Sequence, residues 1–173
     1  MPRLGLGVEW RWGAHTRARA SAPRVEASGD HTDDRAVAEV FQRIQDTAGR
    51  LDILVNVVWG GYERMVEDGR FTWAAPFWEQ PMWRWEAMVT AGARATYVAS
   101  QHAARTMAQA RRGLIVHISS WAAQKHIGST LYGVSKSATD KMASDMAHVA
   151  WRDRRLALSR FGAHGSSPRG GCI

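Results

Sequence analysis

One cysteine, Cys172, is all the chain contains, and none of its 173 residues belongs to an apolar run of about 18. A lone thiol cannot close an internal disulfide, which fits a reducing cytoplasm. Without the apolar run no membrane-spanning helix is expected. The N-terminus MPRLGLGVEWRWGAHTRARA carries arginines but lacks the apolar segment of a secretory signal. None of the seven histidines forms a His-x-x-x-His pair or sits near Cys172, so zinc-ligand spacing is missing and no metal is expected. Glycine is also absent where a phosphate-binding turn needs it. Gly5 and Gly7 begin such a fingerprint, but its third position is Trp10 and no apolar strand leads into Gly5.

Charge balance is missing too, but only at the ends. The formal net charge is +7. Residues 1–29 carry five arginines against two glutamates, for +3; residues 151–173 carry five against one aspartate, for +4. The middle, 30–150, holds 13 basic and 13 acidic residues and is neutral. A nucleic-acid module would concentrate its basic residues in a groove interleaved with stacking aromatics. These positive ends lack that pattern, so no nucleic acid is expected as a partner. The division is a divergent basic arm over 1–29, an α/β core over 30–151 and a divergent basic tail over 152–173.

Hydrophobic residues make up 45% of the chain, enough for one packed domain. TDDRAVAEVFQRIQDTAGR puts Val37, Val40, Phe41, Ile44 and Ala48 on one stripe, which predicts a helix. Asp33 and Asp34 fall in its first turn and Gly49 at its C-cap. LDILVNVV (51–58) reads as a strand buried on both faces of a parallel sheet. Residues 59–80 read as a long loop. A long helix follows from Pro81 to Ala108, then a second buried strand over 113–120 and a helix over 129–151. After Trp151 the pattern is lost. Alternating helices and apolar strands predict parallel pairing with right-handed crossovers. Ligands in such sheets sit beyond the strand C-termini, here Asn56–Gly61 and Ser119–Trp121.

At that edge one stretch, LYGVSKSATDKMA, sets Tyr132 and Lys136 four residues apart, on one face of a helix. A free tyrosine titrates near pH 10, too high for acid–base work at neutrality. A neighbouring ammonium favours the phenolate. Ser119 and Ser120, at the end of the preceding strand, can hold a substrate oxygen. Together these groups can transfer protons at a carbon–oxygen bond. The plainer alternative is a packed Tyr132, a solvated Lys136 and serines that merely end a strand.

The segment GLIVHISSWAAQKHIGSTLYGVSKSATDKMASDMAH resembles the active-site segment of the short-chain dehydrogenase/reductase family. GDHTDD, LDILVNVVWGG and PFWEQPMWRWEAM extend the match over about residues 29–150, most closely to the dehydrogenase/reductase member 1-like branch. The resemblance implies a partial Rossmann-like three-layer α/β fold with a parallel sheet, its N-terminal phosphate-binding unit and C-terminal strands missing or altered. It implies an NAD- or NADP-dependent oxidoreductase interconverting small-molecule alcohols and carbonyls, cytoplasmic and homo-oligomeric. Tyr132 would be the general acid/base. Lys136 would lower its pKa and hold the nicotinamide ribose, and Ser120, with Ser119 as runner-up, would orient the substrate oxygen. Asp30 would contact the adenine and Asn56 would pass the cofactor ribose.

Departures from the family pattern are concentrated at the ends. Its Thr-Gly-x-x-x-Gly-x-Gly turn has no counterpart in residues 1–29. Its Asn-Asn-Ala-Gly turn reads Asn-Val-Val-Trp from Asn56, and the position of a relay asparagine is Thr90. A strand and a Pro-Gly loop are replaced beyond residue 150. Such ends are what a reading-frame change would give, so the alternative expectation is a non-catalytic truncated fragment that keeps the scaffold and a dimer surface. Six of the nine tryptophans lie between Trp59 and Trp121. Trp59 and Trp121, each just past a strand end, are the candidate substrate-pocket walls, while Trp83 and Trp85 suit ordinary packing. His117 is expected to be a packed or edge residue, and His126 either lines the site or faces solvent.

Overall fold

The structure, a computed structural model, describes residues 29–152 and 157–162. The Gly5/Gly7 pair and Cys172 lie outside the described residues. The first helix, α1, spans Asp34–Ala48. Asp33 is its N-cap rather than part of its first turn: the carboxylate accepts from the backbone N–H of Arg35 at 2.9 Å and of Ala36 at 3.4 Å. This satisfies donors that have no partner inside the helix. Gly49 ends it at φ 67°, a left-handed conformation that glycine adopts without a Cβ clash.

Strand β1 (Ile53–Asn56) pairs in parallel with β4 (Leu114–Ser119), and β4 pairs in parallel with β5 (Ala157–Gly162). The expected loss of pattern after Trp151 therefore resumes as a strand within a few residues. Between β1 and β4 the chain forms a small antiparallel hairpin, β2 (Val66–Glu67) with β3 (Arg70–Phe71), inside what the sequence reads as a loop. The long helix expected from Pro81 is three consecutive pieces: α2 (Trp83–Trp85), a π-helical stretch Glu86–Arg94, and α3 (Ala95–Ala110). Helix α4 (Thr130–Arg152) then leads to β5.

The strand order β1–β4–β5 means that both crossovers step in the same direction across the sheet. Right-handed connections that step the same way lay their helices on the same face. Helix α3 accordingly packs on β1 and β4, and α4 on β4 and β5. Of the three layers of a Rossmann-type fold, the described residues supply two. This corrects the expectation that β1 is buried on both faces. Leu54 is wholly buried beneath α3, whereas Ile53 and Val55 on the opposite face are 55% and 42% exposed. The apolar run marks a strand made for two covers, and only one cover is present among the described residues.

The main core joins α1, β1, α3 and β4 through Val37, Phe41, Leu54, Val98, Ala99, Ala103, Met107 and Ile115. Arg94 and Asp34 tie the π-helical stretch to α1 through two hydrogen bonds of 2.9 and 2.7 Å. On the same sheet face lies a buried polar cluster. Asn56 donates from Nδ2 to Ser100 Oγ at 3.0 Å and lies 3.5 Å from His117 Nδ1, while His117 is wholly buried.

His117 is thus packed rather than at an edge, and burial holds its pKa below the ordinary imidazole value. A depressed folded-state pKa makes the neutral ring the folded form. The contribution is complete above the unfolded value near 6.5 and is lost as the pH falls below it, because the unfolded chain then binds a proton that the fold does not. The melting temperature should therefore drop between pH 7.5 and pH 5.5. His117→Gln should flatten that profile even if it lowers the midpoint at pH 7.5; an unchanged slope would remove His117 as the cause.

Candidate active site

Three segments meet at the C-terminal end of the sheet: the turn after β1, the hairpin excursion, and the start of α4 beyond β4. The turn after β1 is pressed onto the π-helical stretch because Gly60, Gly61 and Gly92 lack side chains. A Cβ on Gly60 would lie 3.0 Å from the Ala87 carbonyl oxygen, and one on Gly92 would lie 3.2 Å from the Trp59 ring. Gly61 has φ +121°, which side chains rarely tolerate, and a Cβ there would meet Met88 at 2.8 Å. These contacts set Trp59 and Tyr62 over the start of α4. The excursion is held by Arg84, which is wholly buried. Its guanidinium donates to the Thr72 carbonyl at 2.7 Å and the Arg64 carbonyl at 3.3 Å, and also to Thr72 Oγ1 and Gln80 Oε1. Burial lowers the Arg84 pKa. This clasp brings Trp73 inward.

The result is a cage of three aromatic side chains around the ring of Tyr132. Trp59 meets Tyr132 edge-on at 5.0 Å between centroids, and Trp73 lies 5.3 Å from it. Tyr62 stacks on Trp73 at 5.6 Å and 22°, and contacts Trp59 edge-on at 4.3 Å. Met88 and Ala122 complete the apolar surround. Tyr132 is 7% exposed and Trp73 8%, whereas Tyr62 is 56% exposed. The Tyr62 ring lies 6.5 Å from that of Tyr132, tilted by 54°. Burial first, and the neighbouring Tyr132 second, push the Tyr62 pKa up to about 12, so Tyr62 keeps its proton.

One helical turn on, Lys136 is buried with its Nζ 5.8 Å from the centre of the Tyr132 ring and 5.4 Å from that of Trp59. It donates to the Ile118 carbonyl at 3.4 Å, and the Ser119 hydroxyl donates back to the Lys136 carbonyl at 3.5 Å. The loss of hydration lowers the Lys136 pKa, opposed by the charge of Asp140. Ser120 Oγ accepts from the Ala122 N–H at 3.3 Å and so caps the short 3₁₀ turn Trp121–Ala123.

Other candidates are placed differently. Trp59 is in the cage and donates from Nε1 to Ser135 Oγ at 3.3 Å. Trp121, the other expected pocket wall, is 50% exposed and carries Lys125 3.7 Å above its ring, apart from the cage. The turn that Ser120 caps directs it away. Asn56 points into the helix-covered face, and its Oδ1 is buried without a partner. Asp30 accepts from Thr32 N at 2.8 Å and Thr32 Oγ1 at 2.7 Å, which lowers its pKa. Beside it is an apolar niche lined by Val37, Phe41, Ala95 and Ala99. His126 is exposed. Sequence reading missed Tyr62. The only signal for it is a tyrosine directly after Gly60-Gly61 at a strand's C-terminal edge.

A parallel sheet with its crossover helices, and a phenol and ammonium gathered at the strand ends, define a Rossmann-type α/β protein. The chain belongs to the short chain dehydrogenase family, whose sequence pattern matches residues 12–154. That match begins inside the stretch set apart above as a basic arm. The chain is 33% identical over 139 residues to mouse (Mus musculus) dehydrogenase/reductase SDR family member 1, covering 75% of this chain and 43% of that protein. To the human (Homo sapiens) protein of the same name it is 36% identical over 120 residues, covering 69% and 37%. It therefore spans about two fifths of the length of these relatives. Among solved structures, ElxO with NADP bound superposes with TM-score 0.65 at 26% identity, covering 76% of this chain and 49% of that one. A metagenomic short-chain oxidoreductase in complex with NADP gives 0.63 at 24%, covering 77% and 56%, a likeness of fold.

Gly61→Ala should test how the cage is positioned. A side chain at φ +121° costs roughly 1–3 kcal/mol, and relief of the Met88 contact should move Tyr62. Chemical denaturation should show the loss, and the near-ultraviolet circular dichroism of the ring cluster should weaken. A variant with unchanged stability and spectrum would contradict this account of the turn.

Proposed function

We propose that the chain carries the catalytic half of an NAD- or NADP-dependent oxidoreductase that interconverts an alcohol and a carbonyl, with Tyr132 as general acid/base. The observation that carries the reading is the placement of Tyr132 and Lys136, one helical turn apart, buried together where α4 meets the end of β4. The family and the NADP-bound neighbours support it.

The residues fit a dinucleotide. The apolar niche beside Asp30 suits an adenine, with the Asp30 carboxylate at its rim. Lys136 has one long carbonyl partner, which leaves ammonium protons for ribose hydroxyls. Asn56, just below the turn after β1, has an amide oxygen without a partner. A nicotinamide bound there supplies or accepts the hydride. In the reducing direction Tyr132 gives its phenol proton to the carbonyl oxygen; in the oxidising direction it takes the proton of the alcohol. Lys136 stabilises negative charge as it develops on the phenol oxygen. Ser120 is the better candidate to orient the substrate oxygen. Its oxygen accepts from Ala122, leaving its hydrogen to donate, whereas Ser119 uses its hydrogen on the Lys136 carbonyl.

Titration with NADPH or NADH should quench tryptophan fluorescence, since Trp59 lies beside Lys136. Tyr132→Phe should retain that binding and lose about 10²–10⁴-fold in kcat for ketone reduction. Ser120→Ala should lower kcat more than Ser119→Ala. Full activity of Tyr132→Phe would remove the phenol from the mechanism, and no quench with either nucleotide would remove the oxidoreductase reading from this chain.

A further inference from the structure

Tyr62 sits where a substrate would have to go. If Tyr132 exchanges a proton with a substrate oxygen, as proposed above, that oxygen must reach the Tyr132 phenol, and the Tyr62 ring already lies beside it, stacked on Trp73 and 6.5 Å from the Tyr132 ring. Tyr132 and Trp73 are buried, whereas Tyr62, 56% exposed, forms the solvent-facing side of the cage. It stands on a turn whose Gly61 is held by one bond from its N–H to Glu63 Oε2 at 2.7 Å and whose Met65 N–H bonds the Tyr62 carbonyl at 3.3 Å. Tyr62 itself presents a flat ring stacked on Trp73 and tilted against Tyr132.

We propose that Tyr62 is a built-in substrate mimic that closes the site, and that the chain selects planar aromatic carbonyls or alcohols. The incoming ring replaces that of Tyr62 against Trp73, and its oxygen hydrogen-bonds the Tyr132 phenol. An aliphatic ligand displaces Tyr62 as well but leaves the Trp73 face without a stacking partner, and so recovers less of what the displacement costs. Trp59, edge-on to Tyr132, limits the thickness of what can enter and favours a single flat layer. Tyr62 acts here as a positioning and selecting residue for the site rested on above, and takes no proton itself.

The test is isothermal titration of the full chain with 4-methylphenol and with 4-methylcyclohexanol, without nucleotide. The wild-type chain should prefer the phenol by roughly fivefold, the worth of one ring pair. Tyr62→Ala should tighten 4-methylphenol by about tenfold, since the ligand no longer competes with the chain's own ring. Tyr62→Phe, which keeps the stacked ring and loses the hydroxyl, should tighten it by a smaller factor and serves if the alanine variant does not fold. Trp73→Leu should erase the preference for the phenol. Weaker or unchanged 4-methylphenol binding in both Tyr62 variants, or equal binding of the two ligands by the wild type, overturns the proposal. The readout is separate from turnover. A chain that binds the phenol in this pattern but neither quenches with nor oxidises NADPH keeps the aromatic site and loses the oxidoreductase reading. A chain that turns over ketones but shows no such pattern does the reverse.

Discussion

Everything at the site depends on how α4 is fastened to the end of β4. Two hydrogen bonds run in opposite directions across that joint: the Lys136 ammonium to the Ile118 carbonyl, and the Ser119 hydroxyl to the Lys136 carbonyl. A backbone carbonyl of each element accepts a hydrogen bond from the other element's side chain. The joint fixes the rotation of α4 about its axis, and with it the direction of Tyr132 one turn earlier. It also requires burying an ammonium, a cost visible in the lowered Lys136 pKa. A side chain held at that cost, in a place where a leucine could pack, is better explained by chemistry than by stability.

The rings around Tyr132 come from a second arrangement, independent of the first. The β2–β3 excursion has little apolar packing of its own, with Val66 and Phe71 exposed. What anchors it is Arg84, whose planar fork gathers acceptors from Arg64 and Thr72, on either side of the two strands, and from Gln80. The opposite wall is supplied by the absence of side chains at Gly60 and Gly92, which lets Trp59 lie against the π-helical stretch. Winding of that kind is uncommon and recurs at functional sites. Here it presents Ala87, Met88 and Gly92 to the turn that carries Trp59 and Tyr62.

The parts of this arrangement that were legible in the sequence are those governed by short periods. The i, i+4 spacing of Tyr132 and Lys136, the stripe of α1 and its Gly49 cap, and the parallel order of the strands all follow from helix and strand repeats. The parts set by non-local contact were not. A tyrosine after two glycines gives no hint that Trp73, brought in through Arg84, will stack on it. Trp121 and Trp59 look alike in the sequence, each just past a strand, yet a serine-capped 3₁₀ turn sends one outward while a glycine turn sends the other in. The run LDILVNVV marks the strand but overstates its burial, because a strand's own residues do not say whether both covers are supplied.

Ile53 and Val55 form an apolar row on β1 that nothing covers among the described residues, and β1 is an edge strand of the sheet those residues form. A strand with those two properties is a template for another strand. Wherever that row stays bare in solution, copies of the chain should stick to one another through β1 rather than through the cage.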